Sequence, residues 1–342
     1  MLTFSDHLAV IKRGLHPSVF SSHTLEETKK LCSLFPFHFS NDFGFETRLG
    51  NPDPVCDFFL QIRRGEKGDG FQGGNNEKLG DNRQLQSIPD WKRLVAMLTE
   101  WEKPGTLLHD NVSQFWLEFD YQGTTFNPIP NVFFQVTEDA GLPKERQISK
   151  LLQVLDSIYR LLFDIPFPEN LASTMTKTMV TLPSGSLVYQ VGFMIPRKTE
   201  ALQLVLTRMR SEAMMAFLEA IDWPGEFPLV KAMIERYVNQ HDYAVFNLYI
   251  GERVLPFLGI ELYFSNLAQP NWEPRWQKVF RLLEEDGLIL PEKKEGLLAY
   301  CGKTNRSFIV PLHYFNGINH IKLVYKNGCS LECKAYFGTM IR

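Results

Sequence analysis

The chain has 342 residues, 44% of them hydrophobic, and its 36 Lys and Arg against 39 Asp and Glu leave a formal charge of −3. A near-neutral chain offers no broad positive field for a nucleic-acid backbone, which excludes nucleic acid as the main partner. No run reaches the roughly 18 apolar residues that span a bilayer, and the opening MLTFSDHLAVIKRG carries no continuous apolar stretch, so the expectation is a cytoplasmic protein with no membrane contact.

Composition bounds two further matters. Five cysteines, Cys32, Cys56, Cys301, Cys329 and Cys333, form an odd, scattered set without paired ligand spacing, which fits reduced thiols rather than disulfides or a metal centre. The length permits one large core or two domains, and no composition shift forces a split, so residues 1–342 are read as one domain.

In chain order, strand-like runs arrive in pairs, each pair following a helical pattern of period 3.6. The first pair, 43–49 and 55–63, turns through Gly50-Asn51-Pro52-Asp53-Pro54 and follows a helix whose start is marked by Thr24 and Glu27 in capping-box spacing. A glycine-rich polar segment, roughly 64–86, is expected to be a flexible surface loop, with a lid over a barrel mouth as the sharper reading. The second pair, 113–121 and 131–136, follows a helix at 89–102 with Trp91, Leu94, Met97, Leu98 and Trp101 on one stripe.

The third pair, 186–195 and 200–207, turns at Pro196-Arg197-Lys198 after a helix near 144–163. The fourth, 243–250 and 256–264, is entered from helices at 209–221 and 226–239, separated by Trp223-Pro224-Gly225. The fifth, 320–325 and 330–337, turns on Asn327-Gly328 after helices near 273–286 and 292–300. The fold class is therefore α+β: five helix-plus-hairpin units building a ten-stranded antiparallel sheet or barrel, helices on one face.

Residues two apart in a strand share a face, and here the two faces differ sharply. One register carries Glu46 and Arg48; Asp57, Phe59 and Gln61; Trp116, Glu118 and Asp120; Phe133 and Gln135; Tyr189 or Gln190; Gln203; Asn247 and Tyr249; Glu261 and Tyr263; Lys322; Glu332, Lys334 and Tyr336. The other is apolar, with Phe58, Leu60, Ile62, Phe115, Leu117, Phe119, Leu204, Phe246, Leu248, Ile260, Leu262, Ile321 and Leu323, and belongs under the helices. Such a sheet either stays open with one wet face or closes into a barrel with a polar, aromatic-lined lumen.

Five helix-hairpin units with apolar faces outward and a tyrosine-rich polar face inward resemble the antiparallel barrel of the ABBA aromatic prenyltransferases. On the last strand Lys334-Ala335-Tyr336 is similar to the Lys-x-Tyr strands with which indole prenyltransferases of that family hold the allylic diphosphate. The resemblance implies transfer of a prenyl group from its diphosphate to an aromatic or peptide side chain. Lys322, Lys334 and Tyr336 would then serve the anion, Tyr249, Tyr263, Trp116 and Phe133 would shield the carbocation, and Arg48 is counted with these substrate-binding residues. Glu118, then Glu261, is the candidate base. Related barrels differ in metal dependence; no Asp-rich signature decides it, so no cofactor is assigned and Mg2+ is left open.

The same register looks rich in acid and poor in arginine, which suits a cationic acceptor, or a non-catalytic protein that binds a basic peptide or small molecule. A third option is a scaffold whose polar sheet face is a subunit interface. Other motifs carry less. Gly68 to Gly73 matches G-x-G-x-x-G, but no helical stripe follows it. His109-Asp110 reads as turn chemistry, and Ser184-Gly185-Ser186 precedes a strand rather than a helix, unlike a hydrolase nucleophile.

Overall fold

The computed structural model describes residues 2–64, 82–137, 141–265, 273–307 and 311–342. The alternating segments form β1 (Asp42–Arg48), β2 (Asp57–Arg63), β3 (Val112–Phe119), β4 (Asn131–Val136), β5 (Leu187–Phe193), β6 (Leu202–Thr207), β7 (Tyr243–Ile250), β8 (Val254–Tyr263), β9 (Gly302–Ser307), β10 (Pro311–Lys326) and β11 (Glu332–Ile341). Consecutive strands from β1 to β8 pair antiparallel, β8 pairs with β10, β10 with β11, and β11 returns to β1. Ten strands thus close a ring, which removes both sheet edges.

The apolar register points outward and is sealed by helices. Phe58, Leu60, Phe115, Leu117, Phe134, Leu204, Phe246, Leu248, Ile260, Leu262, Ile321 and Leu323 are all fully buried there. Helices Pro89–Glu102 and Lys144–Phe163 contribute the facing stripes, Trp91, Leu94, Met97, Leu98 and Trp101 from one and Ile148, Leu151, Leu155, Ile158 and Leu162 from the other. Each fully buried large side chain contributes about 1.5–3 kcal/mol, so the outer layer, not the lumen, holds the barrel together.

Four local features depart from the sequence expectation. The first helical segment begins earlier: Ser21 caps Ser22–Cys32 by accepting from the Thr24 amide at 3.0 Å, while Glu27 pairs with Lys30 instead of closing a capping box. The Ser21 amide donates to Pro54 O at 2.8 Å, which fixes where the helix can start. Helices Ser5–Ile11 and Glu169–Thr181 were not expected, the latter because a threonine-rich stretch hides its stripe. The strand expected over 320–325 is the second half of the 16-residue β10, whose first half pairs with β9 beyond the ring. The Asn327-Gly328 turn is wider than a two-residue hairpin; Gly328, at φ 72°, supplies the left-handed residue, and pairing resumes at Val324 with Glu332.

Most of the 64–86 segment, including Gly68 to Gly73, lies outside the described residues. Ser184 to Ser186 form the expected turn before β5, with Gly185 at φ 83°. No helix among the described residues is long and apolar enough to cross a membrane.

Candidate functional site

The polar register faces a lumen of about 920 Å³. Of the residues singled out from the sequence, Glu118, Glu261, Lys322, Lys334, Tyr336, Tyr249, Tyr263, Trp116 and Phe133 all line it. Arg48 does not. It sits at the end of β1 with 45% of its side chain exposed, held by Glu332 at 3.0 Å and, more loosely, by Asp57 at 3.9 Å.

One wall, made by β1, β11, β10 and β8, is charged. Glu46 lies opposite Tyr336 and accepts from Lys334 Nζ at 2.6 Å and from the Tyr336 hydroxyl. Burial pushes its carboxyl up, but the Lys334 ammonium and the two hydrogen bonds outweigh that and leave it well below the usual carboxylate range. On the next strands Lys322 donates to Glu261 at 3.1 Å and to Asn247 Oδ1 at 2.9 Å. Glu261 also accepts from Asn247 at 3.0 Å and Tyr263 at 2.8 Å, so three donors hold it as the anion despite its burial, and its pKa is lowered. A carboxylate so saturated is poorly placed to take a proton. A glycine makes this wall: a Cβ on Gly259 would stand 2.8 Å from Lys322 Cε.

Glu118 has the opposite environment. Among the described residues no donor reaches it; burial and then the Glu46 charge raise its pKa to about 8 against the opposing pull of Lys322 and Arg197. Two carboxyls on one lumen have been pushed apart, one locked as an anion and one that carries a proton near neutrality, a pairing typical of sites that divide electrostatic and proton-transfer roles.

A belt of rings runs between them. Tyr243 stacks on Tyr263 at 4.9 Å, Tyr263 lies 4.6 Å from His320, His320 stacks on Tyr336 at 4.2 Å, and Tyr336 leads to Phe59 at 5.8 Å and on to Trp116 at 5.7 Å. Beside Trp116, on β4, the Phe133 ring lies across Gly192, where a Cβ would meet it at 2.3 Å. His320 is only 7% exposed, and burial drops its pKa to about 4, so it is a neutral ring in the belt.

Sequence reasoning missed several lining residues. Arg63, Arg197 and Arg342 all reach the lumen, which corrects the expectation of an arginine-poor interior. They come from strand ends and a hairpin turn, where parity along a strand gives no signal. Arg197 makes a two-pronged bond to Asp120, at 2.7 and 2.9 Å. Among the described residues, with Lys322, Lys326 and Lys334, the lining holds six basic side chains against Asp42, Glu46, Glu118 and Glu261, so these residues show no acid excess of the kind that favoured a binder of basic peptides. The choice between Tyr189 and Gln190 dissolves as well: a register shift between Val188 and Gln190 turns both side chains inward. No group of three His, Cys, Asp or Glu converges as a metal site among the described residues.

No protein-family model matches the sequence, and no curated protein matches it either. Solved structures do. The 5-dimethylallyltryptophan synthase from Streptomyces coelicolor superposes over 97% of this chain and 95% of its own, with a TM-score of 0.52 at 13% identity. AnaPT from Neosartorya fischeri covers 98% and 90%, with a TM-score of 0.56 at 14% identity. The prenyltransferase PriB, solved with L-tryptophan and dimethylallyl thiolodiphosphate, covers 98% and 96%, with a TM-score of 0.55 at 10% identity. The chain has the fold of the aromatic prenyltransferases. The resemblance drawn from the helix-hairpin repeat thus holds at the level of the barrel.

Proposed function

We propose that the protein is a prenyltransferase that moves an allylic prenyl group from its diphosphate to an aromatic or peptide side-chain acceptor inside the barrel. One observation carries this: a single lumen joins an ammonium-bearing wall, a belt of ring faces and a carboxyl that titrates near neutrality. The superposed prenyltransferases support it.

Each part meets one demand of the chemistry. Ionisation breaks the allylic C–O bond, and the electron pair leaves on the diphosphate, an anion that Lys334, Lys322 and the Tyr336 hydroxyl are placed to receive. The cation left behind needs ring faces and exclusion of water, which Tyr336, Phe59, Trp116 and Phe133 supply. Attack by an electron-rich acceptor forms the new bond, and the acceptor's surplus proton passes to Glu118 in its carboxylate form. Glu261, engaged by three donors, holds Lys322 in place instead of serving as the base. A Mg2+ ion, if used, would draw its oxygen ligands chiefly from the diphosphate.

Calorimetric titration with dimethylallyl or geranyl thiodiphosphate, with and without Mg2+, tests the reading. Saturable micromolar binding that disappears in Lys334→Ala is the expected result. Absence of binding to both donors under both conditions would overturn it.

A further inference from the structure

The wall that adjoins the charged one, running from β2 to β4, is built of amides. Gln61 Nε2 donates to Gln114 Oε1 at 2.7 Å, and Gln114 donates in turn to Gln135, so a chain of side-chain amides crosses β2, β3 and β4. This relay uses one N–H of the Gln61 amino group and leaves its carbonyl oxygen as the open acceptor. Gln61 is only 2% exposed, it lines the lumen, and its Oε1 has no partner among the described residues. Directly across the strand pair stands Trp116, whose indole Nε1 is likewise buried without a partner and which also lines the lumen.

A buried acceptor and a buried donor left open on paired residues are costly in a finished core and are expected where a ligand completes them. Being neutral, the pair can hydrogen-bond an ammonium or a carboxylate but brings no counter-charge to offset the desolvation of either. It fits a group that presents an N–H and a C=O on one edge, as a residue within an extended peptide does with its own backbone N–H and C=O.

We propose that Gln61 and Trp116 form an amide-recognition subsite for the acceptor, with the acceptor N–H donating to Gln61 Oε1 and its carbonyl accepting from Trp116 Nε1. This rests on the prenyl-transfer reading and narrows it: the acceptor is an aromatic residue within a peptide, not a free amino acid. The position agrees with the chemistry, because Glu118 follows Trp116 two residues along the same face of β3. An acceptor held by its backbone at Trp116 presents its ring toward Glu118 and the aromatic belt.

The test compares N-acetyl-L-tryptophanamide and N-acetyl-L-tyrosinamide with free tryptophan and tyrosine, by calorimetry on the full chain saturated with dimethylallyl thiodiphosphate. At least one capped probe should bind about tenfold or more tightly than its free amino acid. Gln61→Met, which keeps volume but removes the amide, should weaken that probe about tenfold and leave donor binding unchanged, which also certifies that it is folded; Trp116→Phe, which keeps a ring face but removes the N–H, should weaken the capped probe about tenfold with its thermal midpoint unchanged. Equal affinity for capped and free probes, no binding of any probe, or variants that bind the capped probe like the parent would overturn the subsite. Capped-probe binding in a protein that binds neither thiodiphosphate would instead sink the transferase reading and leave the amide subsite standing.

Discussion

The two walls of the lumen are built from the same kind of strand yet treat polarity in opposite ways. On β8, β10, β11 and β1, Glu46, Glu261, Lys322 and Lys334 neutralise one another through hydrogen bonds of 2.6 to 3.1 Å. On β2, β3 and β4, neutral glutamines pass hydrogen bonds along and end in an open carbonyl. The charged wall tolerates burial because its ions are paired, and it can exchange a partner for an incoming anion. The amide wall can only add a partner. Such a division suits a site that must hold a charged group and a neutral one without confusing them.

Removing one ion from the charged wall should have the largest effect. Lys334→Ala strands the Glu46 carboxylate beside Tyr336, a loss typically of about 3–5 kcal/mol for a broken buried pair. Donor-analogue affinity should drop at least a hundredfold by calorimetry and the thermal midpoint should fall, while an exposed helix-surface change such as Lys231→Ala alters neither.

Glu118→Gln should spare donor binding and lower turnover about a hundredfold or more, as expected for the loss of a positioned base. In the parent, kcat/KM should climb with pH through about 8 as the carboxyl ionises, and that limb should vanish in the variant. A parent profile flat between pH 6 and 9 would remove Glu118 from the base role.

The same residue makes a stability prediction of opposite benefit. Its folded-state pKa near 8 lies above the ordinary carboxyl value of 4.5, so folding is favoured by the bound proton below about 4.5, and that contribution is lost as pH rises to 8. Asp57, raised to about 7 by burial and by the Glu46 charge, acts in the same sense. Denaturant unfolding should therefore show these contributions to stability being lost as pH rises from about 4.5 to about 8, and Glu118→Gln should flatten that fall by on the order of a few kcal/mol. The smallest effect belongs to Arg48→Ala: a half-exposed arginine at a strand end should change donor affinity by less than about threefold.

Much of this was legible in the sequence because strand parity is a two-state variable. Once Phe58, Leu60 and Ile62 belong outside, Phe59 and Gln61 must lie inside, and the assignment propagates around the ring. Parity fails where the backbone breaks step or ends. The Val188 to Gln190 shift hid the joint inward turn of Tyr189 and Gln190, and a further shift beside Ile318 places Asn319 and His320 on the lumen. Arg197 was invisible for another reason: it stands in a turn, and only the fold brings that turn over the barrel mouth. The β9 segment GKTNRS has no apolar residue to announce a strand; it is one because β10 is long enough to need a neighbour. The sequence showed where the glutamines lie, but the order of donation among them, which leaves Gln61 Oε1 open, depends on distances between strands.

The Glu46–Lys334 contact joins residues 288 positions apart, because β11 closes the ring against β1. During synthesis β1 must therefore wait for almost the whole chain before its second neighbour exists, and until then the growing sheet carries two adhesive edges. Such a topology predicts slow folding dominated by long-range closure. It also means that the charged wall is assembled last. A stalled or clipped chain lacking β11 would retain hairpins and helices but not the Glu46–Lys334 pair, so the charged wall serves as its own checkpoint of completeness.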